Sequence, residues 1–378
     1  MKRYIFATLQ EFLAKKMVLL MGPRQVGKTT IAKSLDPSTA YYNYDIKKDI
    51  KIFRDLQWDR SKKLVIFDEL HKMKRWKLWL KGIYDEGSTQ HQKFLITGSA
   101  RLDIAKKMGD SLAGRFFSLR LNPLDLKELK GINPPTSVET HYQNLLELSG
   151  FPEPFFEGTE RFYQLWSRTH SDLILKQDLI SLEAIRDIDG IELLVQLLAS
   201  RVGSTVSYNS LAEDLQRDDK TIKKWLGLLE QMYIVFRVSP YSKNITRGLK
   251  KAGKYYFYDI AKIEGGEAEK LENLAALSLK KEIEFREDCD GIPGQLHFIQ
   301  TKEKHEIDFL VLQKKRPAHL IEVKLSDEAP SKNFAYFSSL FPMCKKTQWV
   351  RNLTREFTSK ELIEVKSALH GLESLNLP

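Results

Sequence analysis

Residues 17–30 read MVLLMGPRQVGKTT, and the rest of the chain is interpreted from this stretch. A short apolar run, typical of a buried strand, leads directly into the spacing Gly22-x-x-x-x-Gly27-Lys28-Thr29. This is the pattern of a loop that binds phosphate groups between a strand and a helix. The two glycines allow backbone conformations that a side chain forbids, and the backbone N–H groups of such a loop point at the phosphates.

The residues of this loop predict a site for ATP and Mg²⁺. The ammonium of Lys28 is expected near the β- and γ-phosphates, and the hydroxyl of Thr29 is expected to ligate Mg²⁺. The alternative is a glycine turn that arose by chance, which the apolar run before it and the helical pattern after it disfavour. We therefore expect nucleotide contacts from the whole loop, which comprises Gly22, Pro23, Arg24, Gln25, Val26, Gly27, Lys28, Thr29 and Thr30.

Apolar or β-branched runs in the first third of the chain read as strands and alternate with helical patterns. Such an alternation predicts a parallel β-sheet with helices on both faces, in which ligands lie at the carboxyl ends of the strands. The fold class expected for the whole chain is α/β. The runs are Met17–Met21, Tyr41–Tyr44, Leu64–Phe67, Phe94–Thr97 and Phe116–Leu121.

Two acids, Asp68 and Glu69, end the apolar run that starts at Leu64. Acids at the end of a buried strand can serve solubility alone. Beside a phosphate-binding loop, however, Asp68 is the natural partner of Mg²⁺, and Glu69 is the candidate base that polarises the attacking water. A protein that only senses nucleotide needs the first acid alone, so the pair favours hydrolysis.

Three further side chains are candidates for contacts with the γ-phosphate. Thr97 and Ser99 follow the fourth run, and either hydroxyl is placed to sense the γ-phosphate or to hold the water; both residue types also serve ordinary turns and caps. Arg115 is a candidate arginine finger, which would act in its own subunit or across the interface of a homo-oligomer. A plain surface arginine is the alternative.

Composition and charge limit the class of protein. The chain has 378 residues, enough for two or three domains, and a formal net charge of +10, which favours an anionic partner such as nucleic acid or nucleotide. Its cysteines, Cys289 and Cys344, lack the spacing of a zinc site or a disulfide framework, so a cytoplasmic location is expected. The N-terminus is charged too early for a signal peptide, and no apolar run reaches membrane-spanning length, so no membrane partner is expected.

The remaining two thirds of the chain change pattern twice. Residues 1–129 are expected to form the P-loop domain, and the mostly helical residues 130–186 are expected to form a lid or connector. Residues 187–250 suggest three helices and a strand, as in a winged helix-turn-helix. Residues 251–378 mix strand and helix signals and are expected to form a last domain with a mixed sheet.

The third helical pattern of the winged segment starts at Asp219. It carries Lys220, Thr221, Lys223 and Lys224 in its first turns, where a recognition helix meets DNA. DNA is therefore a candidate partner; the alternative is a module that only packs against its neighbours. A basic stretch follows, with Lys243, Arg247, Lys250, Lys251 and Lys254.

A hairpin in the last segment carries two acids and a lysine in a pattern found in nucleases. Asp308 lies on its first strand, and Glu322 and Lys324, two residues apart on the second strand, share one face. Asp308…Glu322-x-Lys324 is the spacing of PD-(D/E)xK nucleases, in which two acids bind Mg²⁺ or Mn²⁺ and the lysine supports the attacking water. Glu272 on a preceding helix is a candidate third carboxylate. A cross-strand ion-pair cluster in an inactive domain is the alternative.

These motifs together resemble a prokaryotic family of AAA-type P-loop ATPases whose members carry a C-terminal winged helix and a domain of unknown function related to restriction endonucleases. The resemblance implies ATP binding and hydrolysis by an AAA-type domain over residues 1–129 and a restriction-endonuclease-like fold over residues 251–378. It implies no settled cellular role. It covers nearly the whole chain, through Gly22–Thr30, Phe67–His71, Ile96–Ala100, Ser111–Arg115, Gly150–Glu153, Lys176–Leu179, Pro240–Tyr241 and Glu306–Phe309.

Two functions are therefore expected from the sequence. The first is a Mg²⁺-dependent ATPase that acts on nucleic acid, or is regulated by it, through the C-terminal half. The second is a nucleotide-gated switch or binding module with slow hydrolysis and an inactive nuclease-like domain. A steady-state assay of phosphate release with and without DNA separates the two. A second Mg²⁺ or Mn²⁺ at the acids of the C-terminal hairpin is a further candidate cofactor.

Overall fold

The computed structural model describes residues 2–88, 91–98, 114–132, 136–178, 187–242, 252–301, 303 and 305–377. Within these residues the chain divides into two compact units. The first unit is Met1–Pro123 with Gln231–Tyr233, and the second is Leu124–Glu230 with Ile234–Pro378. No helix in the described ranges has the length and apolarity needed to span a membrane.

The described part of the first unit is built on a five-stranded sheet. Its strands are β1 (Met17–Met21), β2 (Thr39–Asn43), β3 (Leu64–Asp68), β4 (Lys93–Thr97) and β5 (Phe116–Arg120). They lie in the order β2-β3-β4-β1-β5, and every neighbouring pair is parallel. This confirms the α/β class, the parallel sheet and the strands expected from the sequence. The helices of the unit are α1 (Phe6–Leu13), α2 (Lys28–Lys33), α3 (Lys47–Asp55) and α4 (Trp76–Asp85).

Aromatic side chains fix α3 and α4 on this sheet. The ring of Phe67 on β3 lies 5.3 Å from Phe53 of α3, 5.1 Å from Trp79 of α4 and 5.8 Å from Phe94 of β4, measured between centroids. Each such pair adds about 0.5–1.5 kcal/mol beyond the burial of its area. Because Phe67 directly precedes Asp68, this packing gives the carboxyl end of β3 a fixed position.

The second unit begins with consecutive helices. The helical run stops between Leu148 and Pro152, and Pro152 starts the next helix because its missing N–H is one that a first turn leaves unpaired. These helices are α5 (Leu126–Ile132), α6 (Val138–Leu148), α7 (Pro152–Glu157) and α8 (Glu160–Asp172), which continues as a π-helical segment over Leu173–Asp178.

The next elements, in chain order, are α9 (Ile188–Ala199), β6 (Thr205–Val206), α10 (Tyr208–Leu215), α11 (Asp219–Gln231), β7 (Val235–Pro240) and β8 (Gly253–Phe257). β8 pairs antiparallel with both β6 and β7. The side chain of Asp187 caps α9 by accepting from the N–H of Gly190, and Ser207 caps α10 by accepting from the N–H of Ser210.

The last part of the chain completes a mixed sheet, as expected. Its elements are α12 (Glu267–Asp290), β9 (Gly294–Gln300), β10 (Glu306–Gln313), β11 (Arg316–Lys324), α13 (Lys332–Leu340), β12 (Lys345–Val350), β13 (Phe357–Thr358), β14 (Glu364–Ser367) and α14 (Ala368–Glu373). Among the described residues, nine strands follow the order β13-β14-β12-β11-β10-β9-β7-β8-β6. β7 joins β9 in parallel, so the strands after α11 belong to the same sheet as the C-terminal strands. The four-part division of the chain stays a prediction.

One apolar core of the second unit lies between the hairpin β10–β11 and α13. Phe334 and Phe337 of α13 pack there with Leu310, Leu320 and the buried thiol of Cys344. This core holds the hairpin in place from one side, which positions the acids that the hairpin carries.

Candidate functional site

The phosphate-binding loop joins β1 to α2 at the carboxyl end of the parallel sheet. Gly22 has a φ of +146° and Gly27 a φ of +99°, both in the range that glycine favours. A Cβ at Gly22 would lie 2.2 Å from the carbonyl oxygen of Leu121, so a side chain has no room there. The loop backbone can therefore lie flush against its neighbours, as close approach to a phosphate requires.

Lys28 and Thr29 connect the loop to the end of β3. The ammonium of the buried Lys28 donates to the carbonyl oxygens of Gly22, at 2.9 Å, and Pro23, at 2.5 Å. The Thr29 hydroxyl donates to Oδ2 of Asp68 at 2.9 Å. A cation, a hydroxyl and a carboxylate thus lie together at the carboxyl edge of the sheet. These are the groups that bind a nucleotide with Mg²⁺.

Asp68 accepts hydrogen bonds on both oxygens. Oδ2 accepts from the hydroxyls of Tyr41, at 2.6 Å, and Thr29, and Oδ1 accepts from Thr97 Oγ1, at 2.5 Å, and from the next backbone N–H, at 3.0 Å. Burial by itself raises the pKa of Asp68, but the bonds from Thr97, Tyr41 and Thr29 outweigh it, so the pKa lies below its ordinary value. Asp68 is therefore ionised at neutral pH, as a Mg²⁺ ligand must be.

Glu69 is mostly buried beside basic side chains. Its Oε2 lies 3.5 Å from Nε2 of His71 and 3.7 Å from Nζ of Lys72. Burial raises the pKa of Glu69 and the charge of Asp68 adds to the rise, while Arg24 and Lys72 offset part of it. Within the described residues Oε2 accepts no hydrogen bond. A carboxylate with a raised pKa and an oxygen that accepts no hydrogen bond is suited to take a proton from water.

The structure separates the three candidates for contact with the γ-phosphate. The fully buried hydroxyl of Thr97 donates to Asp68, and Ser99 lies outside the described residues. Arg115 precedes β5 at the amino edge of the sheet, where it pairs with Asp85 at 3.1 Å. The length of β5, roughly 16 Å at 3.3 Å per residue, separates this edge from the edge that carries the phosphate-binding loop.

The hairpin β10–β11 brings the acids of the C-terminal segment together. Its two-residue turn has positive φ at Lys314 and Lys315, the geometry that matches the twist of paired strands. The backbone N–H of Asp308 lies 3.4 Å from Oε2 of Glu322, which the structure leaves 2% exposed. Nζ of Lys324 lies 2.8 Å from the other oxygen of Glu322. Asp308, Glu322 and Lys324 therefore meet at one place on the sheet.

Lys254, the last lysine of the basic stretch in the sequence, belongs to this group. β8 is buried along its whole length, and the side chain of Lys254 is 2% exposed. Its Nζ lies 3.2 Å from Glu272, 2.6 Å from Glu306 and 3.9 Å from Asp308. The other members of the basic stretch lie outside the described residues. We call Glu272, Glu306, Asp308 and Glu322 the carboxylate cluster.

Burial and like charges set the protonation of the carboxylate cluster. Burial raises the pKa of Asp308 well above its ordinary value, and the charges of Glu322 and Glu272 add to it. Burial by itself lowers the pKa of Lys254, but the charges of Glu272 and Asp308 raise it above its ordinary value. In the described parts of the chain, no three His, Cys, Asp or Glu side chains are arranged to hold a metal ion. The cluster as it stands does not fit a second Mg²⁺ or Mn²⁺.

Tyr41, Lys254 and Glu306 were not singled out from the sequence as site residues. Tyr41 is the first residue of the run at residues 41–44, and no local signal marks it. Its approach to Asp68 follows from β2 lying next to β3, where Tyr41 pairs with Ile66. The signal for Lys254 was its place next to the apolar run of residues 255–258, where a charge on a buried strand needs a partner.

Three family models match separate parts of the chain. Residues 14–130 match a model described as an AAA domain. Residues 139–262 match a domain of unknown function (DUF8612), and residues 270–369 match another domain of unknown function (DUF4143).

Similar proteins come from bacteria and archaea. An uncharacterized protein of Mycobacterium tuberculosis is 24% identical over 80% of this chain and 68% of its own length. An uncharacterized protein of Methanocaldococcus jannaschii is 23% identical over 80% of this chain and 73% of its own length. These relatives extend across the boundaries of the three family models.

Two solved structures show a limited likeness. The Holliday junction branch migration motor RuvB of Thermotoga maritima has a TM-score of 0.33 and 18% identity, over 62% of this chain and 88% of that chain. The Orc1 protein of Aeropyrum pernix, solved with DNA, has a TM-score of 0.35 and 11% identity, over 73% and 93%. Scores this low carry no argument about partners. Residues 14–130 thus match an AAA domain, and the loop from Gly22 to Thr30 inside this range has the geometry of a phosphate-binding loop.

Proposed function

We propose that the first unit hydrolyses ATP with Mg²⁺ as cofactor. The observation that carries this proposal is the meeting of Lys28, Thr29 and Asp68 at one edge of the sheet, with Glu69 directly beside them. A module that only senses nucleotide has no use for a buried carboxylate with a raised pKa next to the Mg²⁺ ligand. This favours turnover over slow switching, which remains the second candidate function.

Each side chain has a separate task in this proposal. Lys28 and the loop N–H groups hold the phosphates, and Thr29 with Asp68 holds Mg²⁺. When bound, Mg²⁺ neutralises charge on the β- and γ-phosphates. Oε2 of Glu69 takes the proton of the attacking water. Thr97 and Tyr41 orient the carboxylate of Asp68 through their hydroxyls.

Lys28→Ala and Glu69→Gln test this proposal. Lys28→Ala is expected to lose nucleotide binding, because the phosphates lose their nearest fixed cation. Glu69→Gln is expected to bind ATP like the wild type and to release phosphate at least 100-fold more slowly, since the upper range of general-base contributions is about 10²–10⁴. Phosphate release and titration with a fluorescent ATP analogue measure the two effects. Lys48→Ala, on the exposed side of α3, is the control for Lys28→Ala.

Two outcomes would contradict parts of this proposal. Wild-type turnover in Glu69→Gln removes Glu69 from the role of the base. Slow phosphate release in the wild type itself, unchanged by duplex DNA, favours the nucleotide-gated switch instead.

We infer that the second unit brings nucleic acid to this ATPase through a winged helix formed by α9–α11 and β6–β8. The order helix, strand, helix, helix, strand, strand in the described residues supports it. Lys220 and Lys223 lie exposed on the first turns of α11, the helix in the position of a recognition helix. The net charge of +10 favours the same class of partner.

In this proposal Arg115 contacts the nucleotide of a neighbouring copy of the chain. Its position at the amino edge keeps it away from the phosphate-binding loop of its own subunit. We propose that Arg115 acts in a homo-oligomer, in which it would reach the nucleotide of a neighbour. A surface arginine paired with Asp85 is the alternative.

A further inference from the structure

The carboxylate cluster gathers negative charge from several elements of the second unit. Glu272 comes from α12, Glu306 and Asp308 come from β10, and Glu322 comes from β11. The charges of Glu322 and Glu272 raise the pKa of Asp308, so both acids lie close enough to repel its carboxylate. Such a group needs a cation among its members or the protonation of some of them.

Lys254 supplies that cation from a different strand. Its ammonium contacts Glu272 on α12 and both Glu306 and Asp308 on β10. One charge on β8 is therefore linked to two other elements. The ring of Phe298 lies under the ammonium, 5.5 Å from Nζ. Burying a lysine this deeply is unfavourable unless it is paired, so its position depends on these acids.

We propose that Lys254 is the built-in counter-ion of the carboxylate cluster and takes the place that a divalent cation has in PD-(D/E)xK nucleases. The C-terminal half is then a binding domain that keeps the layout of a nuclease site without its metal. This inference does not rest on the ATPase activity of the first unit.

Protein donors other than Lys254 also contact the cluster. The hydroxyl of Tyr256 donates at 2.7 Å to Oε1 of Glu272, the oxygen that Lys254 also contacts. The N–H of Val323 donates to Oδ2 of Asp308 at 2.8 Å, and Lys324 contacts Glu322 at 2.8 Å. A divalent cation needs several carboxylate or carbonyl oxygens at 2.0–2.6 Å. It would have to displace these donors and would also meet the positive charge of Lys254.

Removal of the lysine charge is the decisive test. In Lys254→Gln the acids lose their counter-ion and keep their positions on α12, β10 and β11. We expect this variant to bind one Mn²⁺ at least tenfold more tightly than the wild type, and we expect Lys254→Gln/Asp308→Asn to lose that gain. Calorimetry and Mn²⁺ electron paramagnetic resonance, both without nucleotide, measure the affinity and the number of ions bound.

Lys281→Gln is the matched control. Lys281 is also a buried lysine of the second unit, and its Nζ lies 3.0 Å from Asp125 and 2.7 Å from Glu128. Its replacement removes a buried ammonium between acids outside the carboxylate cluster. We expect no gain in Mn²⁺ affinity, because two acids from one short stretch provide too few ligands.

Two results overturn the proposal. One is a wild-type protein that binds Mn²⁺ and loses that binding in Asp308→Asn, because the cluster then holds metal with Lys254 in place. The other is a folded Lys254→Gln protein that binds Mn²⁺ no better than the wild type. If Lys254→Gln does not fold, the wild type and Asp308→Asn still decide the question. A melting temperature of Lys254→Gln that rises with Mn²⁺, while that of the wild type does not, supports the proposal.

Discussion

At the scale of single residues, Tyr41 is a positioning residue for the ATPase site. Its hydroxyl donates to Asp68 rather than to the phosphate-binding loop. In Tyr41→Phe we expect phosphate release to slow about threefold to tenfold, while ATP binding without Mg²⁺ is unchanged, and we expect unfolding in urea to show a loss of about 1.5–3 kcal/mol, typical of a hydrogen bond to a charged group.

Tyr44→Phe is the control for this change. Tyr44 packs against Phe53 in the same region, and its hydroxyl makes no hydrogen bond among the described residues. Equal losses in the two variants would mean that Tyr41 supports the fold and has no separate effect on Asp68.

Glu69 gives the ATPase an expected dependence on pH. The base is active when ionised, so turnover falls as the pH drops through the pKa of Glu69, which burial places above its ordinary value. The charge of Lys72 lowers this pKa, and Lys72→Gln should therefore raise it and move the acid limb of the pH–rate profile to higher pH. Lys74→Gln, two residues further on and exposed, should leave the limb in place. A limb that moves equally in both variants contradicts the role of Glu69.

At the scale of elements, α11 is the part of the second unit that we expect to contact DNA. Its apolar side, with Ile222 and Trp225, is buried, which leaves its lysines facing solvent. Reversal of charge at Lys220, Lys223 and Lys224 should weaken binding in a mobility-shift titration. It should also make the slope of log K against log salt shallower by up to about 3, because each lost phosphate contact removes roughly 0.9.

The control for α11 reverses three exposed lysines elsewhere in the same unit, at positions 314, 315 and 360. It changes the net charge by the same amount. Equal weakening in both variants would indicate attraction by overall charge alone. Unchanged affinity for DNA in the α11 variant would mean that this helix has only a structural role in the second unit.

The elements near the ATPase site were predictable because each has a local signal. Gly22 and Gly27 fix the loop, and the run ending at Asp68 fixes the neighbouring strand. The partners of Lys254 were not predictable in this way. They lie on α12 and β10, and their approach depends on β8 lying between β7 and β6 in a sheet whose order β10-β9-β7-β8 no short stretch of sequence specifies.

At the scale of the whole molecule, the position of Arg115 predicts how active sites are shared. Arg115→Ala and Lys28→Ala should each be inactive alone. Mixed copies should regain part of the ATPase activity, because a site with Lys28 from one chain and Arg115 from its neighbour is complete. Light scattering with ATP checks that the mixture assembles. No recovery in an assembled mixture would exclude Arg115 as a shared residue.

The buried thiol of Cys344 allows local opening of the second unit to be measured at a residue of the natural sequence. Burial raises the pKa of this thiol, so it reacts only when the core between the hairpin and α13 opens. In a Cys289→Ser background, the rate at which a thiol reagent modifies Cys344 therefore measures how often that core opens. The same rate, measured with ATP, ADP or DNA present, reports whether binding at the nucleotide site changes how often the C-terminal core opens.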